Sequence, residues 1–260
     1  MIKNEYSFNR NSLWSATANA EILCEPLVGN KEADVVIVGA GYTGLSAALH
    51  LVEKKKKVII LDSENPGWGA SGRNGGQVNP GLKEDPDDIE EKFGIEDGRK
   101  MVQISGDAPD LVFSLIKKHN IKCDAIRSGW IRAAHSKDAF EKQKKRAKDW
   151  QARGVPIEIL DKDHINAMLG TNEYYGGTLD PRGGNLHPLN YALGLADAAI
   201  KSGAIIYGSS KVLDISTVNN IHILRTENGV VKSPKILSAV STQVTILPES
   251  MVIRFGFSNS

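Results

Sequence analysis

Residues 35–44, VVIVGAGYTG, decide the fold of this chain. Four β-branched apolar residues open the stretch, as is typical of a short parallel strand buried on both faces. A G-x-G-x-x-G turn follows, and residues 45–52 then carry apolar side chains at the spacing of one helix face. Residues 58–61 repeat the buried-strand pattern and are closed by Asp62. This order of strand, glycine turn, helix, strand and acid predicts a Rossmann-type βαβ unit.

Each position of the turn has a physical role in holding a dinucleotide. Gly39 permits the tight turn, Gly41 lets backbone N–H groups approach a pyrophosphate, and Gly44 lets the helix pack closely on the sheet. The helix N-terminus adds free N–H donors and a partial positive charge. The Asp62 carboxylate can accept hydrogen bonds from ribose hydroxyls and would repel a 2′-phosphate, which disfavours NADP. These features do not distinguish FAD from NAD.

The next glycine-rich segment favours FAD. Residues 67–77, GWGASGRNGGQ, follow the second strand at the point where a nicotinamide dehydrogenase usually continues into another helix. A glycine-dense loop presents backbone N–H groups that can run along a pyrophosphate and under a flavin ring. A flexible linker is the alternative, but single Trp, Arg, Asn and Gln residues are untypical of a Gly/Ser linker.

Three stretches together resemble the FAD-dependent D-amino-acid oxidase superfamily: residues 35–51, 62–63 and 69–77. Within that superfamily, the SGRNGGQ run and the preceding Ser12-Leu13-Trp14 resemble the γ-glutamylputrescine oxidase-like branch. Most members carry Glu at the position of Asp62, and the shorter carboxylate can still bind ribose.

The resemblance implies FAD as the cofactor and a set of residues that hold it. Val212 would bind adenine through its backbone, on a strand at residues 211–213. No metal site is expected, because Cys24 and Cys123 are far apart and lack metal-ligand spacing. The implied cofactor-binding residues are Gly39, Gly41, Tyr42, Thr43 and Gly44 at the pyrophosphate turn, Asp62 and Ser63 at the ribose, Ala70 and Ser71 along the phosphates, Arg73, Asn74, Gly75, Gly76 and Gln77 in the loop approaching the isoalloxazine, and Val212 at the adenine.

The same resemblance implies oxidation of a C–N bond in a small-molecule amine or amino acid. Hydride passes from the carbon bearing a neutral amine to the flavin, the imine is hydrolysed, and dioxygen or another acceptor reoxidises the flavin. The sequence nominates no catalytic acid–base pair. Arg73 is the polar candidate near the flavin, as an electrostatic partner of the reduced ring, whereas His187 is assigned a structural role.

The expected fold class is α/β, a Rossmann-type FAD-binding domain with an inserted α+β substrate domain. Helices are predicted at residues 104–116, 139–150 and 189–201, strands at 129–134 and 204–207, and a β-meander in the runs 211–217, 221–226 and 230–240. The expected domains are an arm at 1–32, the FAD-binding domain at 33–82 and 186–240, the substrate domain at 83–185, and an atypical tail at 241–260.

The end of the chain departs from the family pattern. Residues 235–237 are the last family-like strand, and a segment such as ATNG is expected after them, whereas the chain continues SAVST. We therefore expect that a C-terminal part of the family fold is missing. The alternative function is then a non-catalytic remnant that binds FAD or another nucleotide without oxidising a substrate.

The composition excludes several other classes of protein. A net charge of +1 argues against binding to nucleic acid or an anionic membrane through a strong overall field. No stretch approaches the roughly 20 apolar residues needed to span a bilayer. The first eleven residues are polar and the cysteines are sparse, so we expect a cytoplasmic protein with no disulfide framework.

Overall fold

The computed structural model describes residues 12–240, which fall into two compact units. The first unit contains the chain up to Gly75, Ile121–Cys123 and the chain from Pro188 onward, and the second contains Gly76–Asn120 and Asp124–His187. The expected insertion at residues 83–185 lies in the second unit except for residues 121–123. The five-part domain division stays a prediction, and its tail at 241–260 lies outside the described residues.

The described elements alternate between helices and short strands. The helices are α1 (Leu13–Ala16), α2 (Tyr42–Glu53), α3 (Pro86–Phe93), α4 (Ile95–His119), α5 (Lys137–Gln151), α6 (Lys162–Leu169) and α7 (Pro188–Lys201), with a single 3₁₀ turn at Ala70–Gly72. The strands are β1 (Gly29–Glu32), β2 (Val35–Val38), β3 (Val58–Leu61), β4 (Gln77–Val78), β5 (Trp130–Ala133), β6 (Glu158–Leu160), β7 (Gly177–Asp180), β8 (Gly184–Asn185), β9 (Ile205–Tyr207), β10 (Asp214–Val218), β11 (Ile221–Arg225), β12 (Gly229–Ser233) and β13 (Ile236–Ser238).

A parallel sheet in the order β13-β2-β3-β9 lies at the centre of the first unit. Its middle strands are apolar on both faces, and every residue of β3 is buried. Helix α2 turns Leu45, Ala48 and Leu49 inward, packs on β2 and β3, and is covered by α7. The predicted βαβ unit is confirmed, because β2 and β3 pair in parallel and α2 connects them, which buries both the β-branched runs and the apolar face of residues 45–52.

A second sheet in the first unit has the order β1-β12-β11-β10, with β1 and β12 parallel and the other pairs antiparallel. Asn219 and Asn220 connect β10 to β11 with φ of 51° and 62°. Two consecutive positive φ values give the type I′ geometry that matches the twist of a hairpin, and asparagine tolerates it. The predicted hairpins are confirmed at this point of the meander.

Two strand predictions in this region are wrong. The run at residues 230–240 is two strands in two different sheets, because Pro234 lacks an N–H and the Ser233 hydroxyl donates to the Lys235 carbonyl at 2.8 Å to redirect the chain. Residues 211–213 belong to no strand, and β10 begins only at Asp214.

The N-terminal segment, expected to be an arm at residues 1–32, contains a short helix and a strand. Ser12 and Ser15 form a reciprocal capping box on α1, and α1 packs against α7. Residues 1–11 lie outside the described residues. The last four positions of the expected arm form β1, whose pairing with β12 joins them to the sheet.

The second unit contains two small sheets, β5-β7-β6 and β4-β8, both antiparallel. The helices predicted at residues 104–116 and 139–150 lie inside α4 and α5, and the strand predicted at 129–134 contains β5. A buried apolar cluster is formed by Ile89, Val102, Ala147, Trp150 and Ile157.

Helix α5 carries a run of basic residues, most of which face solvent. Lys142, Lys145 and Lys148 are exposed. Arg146 is an exception, since its side chain is 12% exposed and forms a 2.7 Å ion pair with Asp85. Its guanidinium also donates to the carbonyl oxygens of residues 82–84. This arginine holds the chain ahead of α3 and is not part of a charged surface.

Candidate cofactor site

The first glycine turn has the close contacts that its motif predicts. Gly39 has a φ of +107°, which a residue with a side chain rarely adopts. A Cβ on Gly44 would lie 2.0 Å from the Gly39 carbonyl oxygen, so no side chain fits where α2 leaves the turn. The chain therefore enters α2 directly above the end of β2.

The N-terminus of α2 offers backbone donors to an anion. Its N-cap, Gly41, supplies no side-chain acceptor, and the first turn contains no acidic residue. The Tyr42 N–H donates to the Ser71 hydroxyl at 3.0 Å. Within residues 12–240, no acceptor is bonded to the N–H groups of Thr43 and Gly44. Free N–H groups and the helix dipole make this end of α2 suited to a phosphate.

Asp62, at the end of β3, is joined to the glycine turn. Its carboxylate accepts from the Ala40 N–H at 2.6 Å and from the Glu64 N–H at 2.9 Å. Burial raises the pKa of Asp62, and these two hydrogen bonds partly oppose that rise. Each carboxylate oxygen has a further lone pair, so the group can also accept hydrogen bonds from a ligand.

A second glycine turn repeats the geometry of the first. In residues 67–72, GWGASG, Gly67 has a φ of +75° and a Cβ on Gly72 would lie 2.1 Å from the Gly67 carbonyl oxygen. The Gly67 N–H donates to the Ala40 carbonyl at 3.1 Å, which joins the two turns. The G-x-G-x-x-G spacing at 67–72 is visible in the sequence, but we predicted only an extended phosphate loop there.

Asn74 and Tyr42 connect this second turn to α2 and α7. The Asn74 amide donates to the carbonyl oxygens of Ala70 and Ser71 and, at 3.3 Å, to the Tyr42 hydroxyl. The Tyr42 hydroxyl donates to the Pro188 carbonyl at 2.9 Å. Burial raises the pKa of Tyr42 to about 12, so the phenol is neutral and remains a donor at physiological pH.

The Arg73 side chain folds back over its own turn. Its Nε donates to the Trp68 carbonyl at 2.8 Å, and its guanidinium carbon lies 4.2 Å from the centre of the Trp68 ring. Among the described residues, no partner is bonded to Arg73 Nη2, although this atom is buried. These contacts stabilise the second turn, and the role of Arg73 as an electrostatic partner of a reduced flavin stays a prediction.

Val212 has the properties of a backbone ligand. Its side chain is 6% exposed and packs with Leu27 and Leu61. No hydrogen bond within the described part of the chain uses its N–H or C=O group. Ser210, which is 2% exposed, donates its N–H to the Asp62 carbonyl at 2.7 Å and so ties this segment to β3. Ser210 could not be found from the sequence, because its hydrogen-bond partners Leu27 and Asp62 are distant along the chain.

The remaining predicted residues are divided between the units. Ser63, Ala70 and Gly75 belong to the first unit, and Ser63 and Ala70 are exposed. Gly76 and Gln77 belong to the second, where the Gly76 carbonyl accepts from the Leu186 N–H and Gln77 pairs with Asn185. His187 is 7% exposed, in keeping with the structural role predicted for it, which stays a prediction.

The donors and acceptors of the first unit fit an adenine dinucleotide. A helix N-terminus, a largely buried carboxylate and an unused peptide group suit a pyrophosphate, a ribose and an adenine respectively. In residues 12–240, no group of three potential metal ligands is clustered, and no helix has the length and apolarity to cross a membrane. The fold and this site define a dinucleotide-binding protein of the Rossmann type.

Comparison with known proteins identifies the family. The family described as FAD dependent oxidoreductase (DAO) matches residues 34–251, and the chain belongs to it. Relatives include the probable oxidoreductase OrdL of Haemophilus influenzae, 34% identical over 96% of this chain and 58% of its own length. The γ-glutamylputrescine oxidoreductase of Escherichia coli K12 is 34% identical over 88% of this chain and 54% of its own length.

Solved structures agree with this assignment at the level of the fold. Glycine oxidase from Geobacillus kaustophilus has a TM-score of 0.68 at 23% identity, covering 80% of this chain and 55% of that chain. The expected superfamily, fold class and FAD as the family cofactor are confirmed. The chain spans about half the length of the curated relatives it matches. None of these comparisons favours the alternative of a non-catalytic remnant.

Proposed function

We propose that the first unit binds FAD and that it serves in the oxidation of a C–N bond of an amine or amino acid. The observation that carries this proposal is a hydrogen bond between Asp62 and the first glycine turn. The N–H of Ala40, the residue after Gly39, donates to the Asp62 carboxylate at 2.6 Å. The ribose-binding acid and the phosphate-binding helix start are therefore fixed to each other by the fold.

At the phosphate end, the chain supplies neutral donors. The free N–H groups of Thr43 and Gly44 would donate to pyrophosphate oxygens, and the dipole of α2 would favour their negative charge. The Ser71 hydroxyl, already bonded to the Tyr42 N–H, has its own proton to donate to the same phosphates.

At the adenosine end, the chain supplies one charge and one peptide group. Asp62 would accept hydrogen bonds from ribose hydroxyls, and its charge would repel a 2′-phosphate. The Val212 N–H and C=O would pair with the acceptor and donor edges of adenine. Both groups are held rigidly, because Val212 and Leu61, which precedes Asp62, pack in one apolar cluster.

Bound FAD supplies the redox chemistry by accepting a hydride from the carbon that bears the amine. The names of the relatives point to substrates of this class, γ-glutamylputrescine in one case and glycine in another. A small amine or amino acid is therefore the proposed substrate. The electron acceptor, dioxygen or another oxidant, and a cytoplasmic location stay predictions from the sequence.

Two measurements on the purified chain test the proposal. The first is FAD affinity in Asp62→Asn, which loses the charged acceptor. A hydrogen bond to a charged group is worth about 1.5–3 kcal/mol, so binding should weaken by roughly tenfold or more. Glu64→Gln is the matched control two residues away, and it should bind FAD like the parent. Equal affinity in Asp62→Asn and the parent would remove Asp62 from the site.

The second measurement is bleaching of protein-bound flavin by amines without oxygen. This readout reports substrate oxidation regardless of the electron acceptor. Reduction by γ-glutamylputrescine, glycine or another small amine, and not by 2-hydroxy acids of the same size, is the expected result. Bound flavin that no amine reduces would contradict the proposed reaction while leaving the binding proposal intact.

A further inference from the structure

Within the expected N-terminal arm, residues 19–28 (hereafter the arm) form hydrogen bonds to the two loops that carry the proposed adenosine-binding residues. The Cys24 N–H donates to the Asn65 side-chain oxygen at 3.1 Å. The Leu27 N–H donates to the Ser210 hydroxyl at 2.8 Å. Asn65 follows Asp62 by three residues, and Ser210 precedes Val212 by two. The arm therefore bridges the loop after β3 and the loop after β9.

Gly208 shows how closely these three segments approach. A Cβ at this position would lie 2.8 Å from the Asn65 side-chain oxygen and 3.0 Å from the carbonyl oxygens of Cys24 and Glu64. Any side chain at residue 208 would push the arm away from the loops. The arm is thus packed against the ends of β3 and β9 with no intervening space.

Leu27 anchors the arm in the core. Its side chain is 1% exposed and belongs to the same apolar cluster as Val212 and Leu61. Leu23, in contrast, is 72% exposed. The arm thus has an inner side that follows the loops and an outer side that faces solvent.

The backbone of Cys24 lies on the inner side of the arm, because its N–H donates to Asn65 and its carbonyl oxygen would lie 3.0 Å from a Cβ on Gly208. The Cys24 thiol is partly buried. Burial raises the pKa of Cys24, and the Asp62 carboxylate raises it further. The hydrogen bonds of Cys24 and Leu27 place the arm beside the loop that follows Asp62, and the raised pKa of the thiol is consistent with that position.

We propose that residues 19–28 form one wall of the adenosine end of the cofactor site, with the Cys24 side chain facing the bound nucleotide. The inference rests on the proposed function and extends it to a segment outside both glycine turns. A bound adenine nucleotide would then cover the thiol. ADP is a sufficient probe, because it carries the adenosine and phosphate groups without the flavin ring.

The test is the rate at which Cys24 reacts with a neutral maleimide, followed by peptide mass spectrometry. If the thiol reacts only in the ligand-free protein, ADP at ten times its dissociation constant should slow labelling about tenfold. FAD at the same multiple should do the same. Cys123, which is 1% exposed, is the internal reference and should stay unlabelled in the folded chain.

A matched variant places the thiol on the outer side of the arm. Leu23→Cys combined with Cys24→Ser should label at one rate with or without ADP. In a second measurement, Cys24→Phe should lower ADP affinity at least about tenfold by a clash with the nucleotide, while Leu23→Phe, at the exposed neighbouring position, should bind ADP like the parent.

Equilibrium dialysis of the same samples distinguishes failure of the proposed role of the arm from failure of the proposed function. Measured ADP binding with unchanged Cys24 labelling and an unaffected Cys24→Phe variant would overturn the role of the arm and leave the proposed function standing. If dialysis shows that neither ADP nor FAD binds, the proposed function and this inference both fail.

Discussion

The contact between Gly44 and Gly39 makes a quantitative prediction about Gly44→Ala. In an ordinary helix, replacing glycine by alanine stabilises the folded state by about 1 kcal/mol. Here the new Cβ would lie 2.0 Å from a backbone carbonyl oxygen, far inside the 3.4 Å at which ordinary contact begins. A backbone atom cannot rotate away as a side chain can, so the turn or the whole of α2 must shift.

Overpacking of this kind costs up to about 3 kcal/mol, which leaves a net loss of about 2 kcal/mol after the helix-propensity gain. For a chain of this size we expect the melting temperature to fall by roughly 4–8 °C. Thermal unfolding followed by far-UV circular dichroism measures it. Gly69→Ala is the control, because its Cβ would have no described atom within 4 Å and its φ is −76°. The reasoning fails if Gly44→Ala melts at or above the parent temperature, or if both variants lose the same stability.

Three further predictions concern other parts of the structure. Arg146→Met removes the ion pair with Asp85 and three carbonyl contacts, and should lower the unfolding free energy by about 2–3 kcal/mol in urea titrations; Lys145→Met on the exposed face should stay within about 0.5 kcal/mol of the parent. Ser210→Ala leaves the buried Leu27 N–H without its acceptor and should cost about 1–2 kcal/mol in the same titration, a loss that Ser210→Thr should partly restore. Because burial raises the folded-state pKa of Asp62, its stabilising contribution is full below the unfolded pKa of about 3.9 and is lost as pH rises through the folded pKa. The stability of the parent relative to Asp62→Asn should therefore rise as the pH is lowered from 7, and a difference that is flat or falls would contradict the burial of this carboxylate.

The parts of the fold that could be predicted are those with local periodicity. Residues 35–61 have the patterns of a buried strand, a glycine turn, an amphipathic helix and a second buried strand in one continuous stretch, and the structure has these elements in that order. The split between β12 and β13 was missed, because both halves of residues 230–240 carry the same apolar alternation. Pro234, which lacks an N–H, was the available signal. The inward turn of Arg146 had no signal, since its partners lie about 60 positions earlier in the chain.

The residues of the candidate site also divide into those that a local motif predicts and those that depend on contacts between distant parts of the chain. The phosphate turn and Asp62 are close in sequence and were placed by motif, and the structure joins them through the Ala40 N–H. The second turn at residues 67–72 has the same glycine spacing as the first and could have been recognised from it. The arm and Ser210 could not, because their contacts join residues that are distant along the chain, 41 positions apart for Cys24 and Asn65 and 183 for Leu27 and Ser210.

The measurement that tests the central claim most directly is the stoichiometry of FAD binding to the purified chain by equilibrium dialysis, with NADP as the comparison ligand. The account predicts that one FAD binds per chain, that ADP competes for the same site, and that NADP is rejected by the charge of Asp62. A folded chain that binds no FAD, or that binds NADP as well as FAD, would contradict it.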